Sequence, residues 1–131
     1  MTKKERQEQQ NKINEILENF SNVTFKPEGL GALEFEKEVF SKKFEVETVK
    51  FRIERVAMQV AEKLEDEKED IKAAEKILKT FIAEPSDARS VQFFELDYNA
   101  MKEVVELISE FQVTPFLFTE RARATAETVA G

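Results

Sequence analysis

Apolar and polar positions alternate along this chain with two different periods, and the change between them marks out its elements. Thr2 to Lys12 is charged and glutamine-rich with no core-facing residue, whereas Ile13, Ile16, Leu17 and Phe20 draw one apolar stripe over two turns. That spacing predicts a helix that frays at its start and docks by its end, closed by Ser21-Asn22. Period two then takes over. Val23 and Phe25 alternate with polar residues, and beyond Pro27-Glu-Gly-Leu-Gly31 the alternation resumes at Leu33, Phe35, Lys37 and Val39. Two such runs around a Pro/Gly loop predict a β-hairpin, with one lysine interrupting the inward row. An isolated hairpin is marginal, so it has to lean on a helix or on another subunit. Phe40 and the Phe44-Glu-Val46 step extend the pattern toward a third short strand.

From Val46 to Glu65 the apolar residues Val49, Ile53, Val56, Ala57, Val60, Ala61 and Leu64 recur at three- and four-residue steps, with charged residues between them. This spacing predicts an amphipathic anchor helix from about Glu47 to Glu65, with Thr48 as its N-cap, around which the other elements pack. Asp66-Glu-Lys-Glu-Asp70 reads as a solvated turn. Ile71, Ala74, Leu78, Phe81 and Ile82 share one face of the next predicted helix, which Pro85 stops. Ser86 is expected to cap a short helical turn through Ser90, after which Val91, Phe93 and Phe94 drop toward the core. Asp97 is placed to cap the last helix, with Leu96 opposite Met101 as a hydrophobic staple and Met101, Val104, Val105, Ile108 and Phe111 as the buried face. Thr114-Pro115 ends it. The expected fold is a mostly α (α+β) domain of about four helices with one short β-hairpin in the N-terminal third. Residues 1–12 are expected as a flexible charged lead-in, 13–118 as the single domain and 119–131 as a flexible tail.

Composition narrows the chemistry. A chain of 131 residues with 41% hydrophobic content suits one domain. No apolar run approaches the ~20 residues needed to cross a bilayer, and the start lacks the apolar core of a secretory signal, so no membrane association is expected and the cytoplasm is the expected location. Cysteine and histidine are both absent. Disulfides, thiolate nucleophiles, the usual near-neutral general base and the commonest zinc ligand are thereby excluded, and with three glycines a phosphate-cradling loop is not expected. The expectation is a non-enzyme without cofactor or metal. The net charge of -7 argues against nucleic acid as a partner, since phosphate binding needs a concentrated basic surface.

Several constellations admit a chemical and a plain reading. Glu62 with Asp66, or Glu103 with Glu106 and Glu110, lack a histidine and are interspersed with lysines, so they read as solvated faces. Lys42, Lys43, Arg52 and Arg55 form a basic cluster able to receive an acidic segment of a partner, although balancing Glu45, Glu47 and Glu54 explains them as well. Ser86-Asp-Ala-Arg89 reads as capping rather than as an anion loop. Twelve phenylalanines against one tyrosine and no tryptophan favour a Phe-built core or a surface for another apolar chain. Phe93, Phe94, Phe116, Leu117 and Phe118 are the partner-binding candidates, as a surface that joins subunits or shields a partner; burial in the core is the other reading.

An acidic, Cys- and His-free domain with a charged N-terminus, a Phe-rich hairpin (Leu33-Glu-Phe-Glu-Lys-Glu-Val-Phe40) and three amphipathic helices resembles the tail assembly chaperones of long-tailed bacteriophages. The likeness spans residues 33–118 and is closest between Phe81 and Phe111, where the stop at Pro85 is followed by Phe93-Phe94 and the Asp97 cap. The resemblance implies a non-catalytic protein of the host cytoplasm that binds the tape measure protein, helps recruit tail tube subunits and is absent from the finished particle. In that family a longer frameshifted form is common. A different class, an acidic inhibitor imitating nucleic acid, would align its carboxylates without interruption, whereas Lys72, Lys76, Lys79 and Lys102 interrupt residues 66–131, where 14 acidic side chains stand against 8 basic ones. A helical adaptor is the third possibility.

Overall fold

The computed structural model describes residues 2–56 and 70–118. In chain order the elements are α1 (Lys3–Leu17), β1 (Ser21–Lys26), β2 (Ala32–Phe40), β3 (Val46–Glu54), α2 (Asp70–Phe81), β4 (Ile82–Glu84), two 3-10 turns (Ser86–Ala88 and Val91–Phe94) and α3 (Tyr98–Val113). The strands form one antiparallel sheet in the order β1-β2-β3-β4. The fold is therefore a four-stranded sheet with helices packed on it, not a helical domain with one hairpin.

The hairpin expected on either side of Pro27–Gly31 is present as β1 and β2, in register from Phe25↔Leu33 to Lys26↔Ala32. Gly29 and Gly31 take positive φ in its loop (56° and 107°), a region that strains residues with a Cβ. The expected anchor helix is overturned over its first half: Val46–Glu54 is β3, paired with β2 along its whole length, and Thr48 faces Glu38 instead of capping a helix. The remainder of that stretch, from Ala57 to Glu65, lies outside the described residues, as do the charged turn up to Glu69 and the tail from Thr119.

The physical reason lies in Phe51. Val49 and Ile53 are four apart and share a face under either period, but on a helix Phe51 falls among Lys50, Arg52 and Glu54. As a strand, β3 turns Val49, Phe51 and Ile53 inward together, leaving Phe51 1% and Ile53 0% exposed. Burying a Phe ring contributes about 1.5–3 kcal/mol, more than the small propensity differences between helix and strand.

The inward face of the sheet, Leu33, Phe35, Val39, Phe51 and Ile53, packs against α1 through Ile13, Ile16 and Leu17, α2 through Ala74, Leu78 and Phe81, and α3 through Met101, Val104, Leu107, Ile108 and Phe111. Phenylalanine rings run through this core: Phe20 meets Phe35 edge-on at 5.0 Å, Phe35 stacks on Phe51 at 5.3 Å, and Phe51 stacks on Phe94 at 6.3 Å. Lys37, the interruption in the inward row, ends in a polar niche; its Nζ donates to Glu103 Oε2 (2.7 Å) and to the Asn19 carbonyl (3.0 Å) and lies over the Phe20 ring. The outward face is charged. On it Arg52 is held by Glu34 (2.8 Å), Glu28 (2.7 Å) and Glu54 (3.1 Å).

Three local expectations are also corrected. Ile82 leaves the α2 stripe to form β4, which ends at the cis Glu84–Pro85 peptide, and Ile71 is exposed. Ser86 lies inside the first 3-10 turn, whose N-cap is Pro85, while Ser90 caps the second through Gln92 N (3.2 Å). Leu96 is exposed rather than stapled down, although Asp97 does cap α3 through Ala100 N (3.0 Å).

Candidate functional site

A groove lies where the β2–β3 turn meets the chain between β4 and α3. Residues 41–45 close the turn by bonds from Ser41 N to Glu45 O (2.9 Å) and from Phe44 N to Ser41 O (2.9 Å), with Ser41 Oγ accepting from Lys43 N (3.2 Å). Phe44 sits at positive φ (60°), uncommon for a bulky residue, and its ring is 74% exposed. Phe40 packs edge-on against it at 6.4 Å, and Val46 beside them is also exposed. The turn is tied to α3 by one carboxylate: Asp97 Oδ1 accepts from Ala100 N as the helix cap while Oδ2 accepts from Phe40 N, both at 3.0 Å. Lys42 pairs with Glu95 across the same junction (3.5 Å).

Between the turn and the 3-10 segments runs a groove of about 440 Å³. Val39, Val49 and Phe93 form its apolar part, Ser41, Lys42, Lys43 and Glu47 one rim, and Asp87, Ser90 and Gln92 the other. Apolar walls with polar groups at the rim suit an apolar side chain or extended segment. A smaller depression of about 280 Å³ between the starts of α2 and α3 is bordered by Ile71, Tyr98 and Met101.

The candidates named from sequence divide between core and surface. Leu117 and Phe118 are fully buried, with Phe118 edge-on to Phe111 at 5.4 Å, and Phe94 is buried in the ring stack. Phe116 is 47% exposed at the opposite end of α3 from the turn, and Phe93, half-buried, is the one candidate that lines the groove. The five do not form one surface. The basic cluster is dispersed as well: Lys43 pairs with Glu47, Lys42 with Glu95 and Arg52 with its three carboxylates, while Arg55 reaches the Leu30 carbonyl. Hydrogen bonds that Arg52 donates to Glu34 and Glu54 hold the guanidinium pKa well above its ordinary value.

Of the acidic constellations, Glu103 is engaged by Lys37 and Asn99, and Glu110 by Lys12. Glu62 and Asp66 lie outside the described residues. Among the described residues no group of three or more potential ligands is arranged to hold a metal ion, and no helix is long and apolar enough to cross a membrane. Arg89, in the Ser86–Arg89 stretch, donates to the Lys79 carbonyl.

Phe40, Phe44 and Val46 were not singled out from sequence as a contact surface. Their signal was present, since Ser41-Lys-Lys-Phe44-Glu45 separates two period-two runs, and a bulky apolar residue at a hairpin tip has no core within reach. Compared with protein-family models, curated proteins and solved structures, the chain matches none.

Proposed function

We propose that this protein works by binding another polypeptide rather than by catalysis, and that it serves as a tail assembly chaperone of a long-tailed bacteriophage. In that role it holds tape measure protein in the host cytoplasm and helps recruit tail tube subunits. The particular role rests on the likeness drawn from sequence alone, and β3 stands where that likeness included the first half of an anchor helix. The binding reading is supported by one observation above the others: a groove with apolar walls bordered by the β2–β3 turn, which is pinned to the start of α3 and carries Phe44, three-quarters exposed. A partner that buries Phe44 and Val46 gains about 1.5–3 kcal/mol for each, enough for a reversible complex when shared with groove contacts.

The test is co-expression with a tape measure protein, comparing wild type with Phe44→Asp. Because the ring is exposed, the variant folds, which circular dichroism checks. Wild type should keep the partner soluble and the variant should not. A wild type that gives no protection would refute the chaperone role, and equal protection by Phe44→Asp would refute the assignment of this surface.

A further inference from the structure

The β2–β3 ladder reveals which backbone groups of β3 face away from β2. Ser41 N donates to Glu45 O at one end, and Arg55 N donates to Gly31 O (3.0 Å) at the other, both in line with the register Leu33↔Ile53 and Val39↔Glu47. Antiparallel ladders alternate bonded and non-bonded pairs, so the odd-numbered residues of β3 direct their N–H and C=O groups at β2. The even-numbered ones, from Val46 to Glu54, direct theirs to the other side. There β4 engages Arg52, opposite Glu84, and ends; Pro85 has no N–H with which to continue. Val46, Thr48 and Lys50, all exposed, thus aim their backbone donors and acceptors away from β2, at an edge whose intervening residues Glu47 and Val49 line the groove, with no strand beside them among the described residues.

We infer that this open edge of β3 takes an extended polypeptide segment as an added strand, one that alternates apolar and polar side chains and places a carboxylate beside Lys50. The inference rests on the polypeptide-binding reading above and names how the partner is held. Main-chain bonds to Val46, Thr48 and Lys50 supply affinity, and side-chain pockets supply selection. Residues of the added strand that point inward lie over Val49 and Phe93, which selects apolar ones. Those that point outward lie beside Thr48 and Lys50. Lys50 makes no ion pair among the described residues, since Glu36 opposite it on β2 accepts from Asn22 Nδ2 (2.6 Å), while the next cation on the strand, Arg52, already holds three carboxylates. A carboxylate is the group that complements it.

A second copy fits this edge less well. Two-fold antiparallel pairing about Thr48 sets Lys50 against Val46, so a second copy brings the ammonium no carboxylate. The groove is also bounded on its far side by Asp87, Ser90 and Gln92, whereas a copy brings its own β2 behind its β3.

The probe is a fluorescein-labelled, end-capped octapeptide, Ser-Val-Thr-Val-Glu-Val-Thr-Ser, titrated against the full chain by anisotropy, with amide hydrogen exchange read residue by residue. Binding should slow exchange at the Val46, Thr48 and Lys50 amides. Lys50→Glu should weaken it by about tenfold, and a peptide with Lys in place of Glu should restore it, as expected for a directly opposed charge pair. Thr48→Pro removes an N–H aimed at the open edge of β3 without touching the β2 ladder and should abolish binding; if it does not fold, the charge swap decides. Absence of binding, equal affinity for Lys50→Glu, or protection confined to other amides would overturn the inference. A sedimenting dimer that Thr48→Pro dissolves would overturn the choice of occupant. If wild type, Thr48→Pro and Lys50→Glu all keep a tape measure protein soluble, strand addition fails while the polypeptide-binding reading stands.

Discussion

Phe51→Ala separates the strand from the helix at the position where the two periods disagree. The ring is 1% exposed, stacks on Phe35 at 5.3 Å and 16° and on Phe94 at 6.3 Å and 10°, and meets Phe93 edge-on at 6.4 Å. Truncating a buried Phe costs about 3–5 kcal/mol, from lost transfer energy and the cavity left behind. Aromatic pairs add about 0.5–1.5 kcal/mol each beyond area burial, so a position with three ring partners belongs at the upper end of that range. The control is Lys50→Ala, one residue away on the exposed face, which should stay within about 0.5 kcal/mol of wild type. Urea denaturation followed by circular dichroism measures both, and the melting temperature of Phe51→Ala should fall by on the order of 10 °C or more. A helix through Val46–Glu54 would put both side chains in water and make both changes mild. A loss below about 1 kcal/mol for Phe51→Ala therefore refutes the packing described here.

Glu103→Ala strands the Lys37 ammonium, whose side chain is 10% exposed, and should cost about 3 kcal/mol, the low end for breaking a buried pair; the double change Lys37→Met with Glu103→Leu should recover most of it in a denaturation series. Asp97→Ala removes a helix cap worth about 1 kcal/mol and with it the tie to Phe40 N, so hydrogen exchange should quicken at Phe40 as well as at the start of α3. The hydrogen bond and charge of Glu110 hold the Lys12 ammonium above its ordinary value. Its contribution to stability is complete below the unfolded value of about pH 10.4 and is lost as pH rises through the folded one, so Lys12→Met should flatten the alkaline fall in urea midpoint.

The parts legible in the sequence are those whose signals come from within one element. The α3 stripe follows a capping aspartate, and the β1–β2 alternation flanks a Pro/Gly loop; both survive in the structure. Val49 and Ile53 could not distinguish helix from strand, and their continuation through Val56, Val60 and Leu64 made the longer period persuasive. The better guide was composition, since Val46, Thr48, Val49, Phe51 and Ile53 are β-branched or aromatic. β4 has three residues, too few to show a period, and Ile82 fits the α2 stripe as well as the strand. The groove was illegible for another reason. It is made by the β2–β3 turn meeting residues near 90, a juxtaposition no local pattern records.

Lys37 carries a consequence for how β2 finds its place in the sheet. A slip of one residue would turn Glu34, Glu36 and Glu38 into the core and Leu33, Phe35 and Val39 out to water, so alternation by itself forbids it. Alternation is blind to a slip of two, which keeps every face correct. In the observed register Lys37 lies opposite Val49 and its ammonium meets Glu103 and the Asn19 carbonyl. Two residues either way, it would stand where Phe35 or Val39 now sits, among apolar side chains and away from those acceptors. An ammonium left there without a partner costs several kcal/mol, so the one charged residue in the inward row distinguishes the native alignment from its nearest competitors.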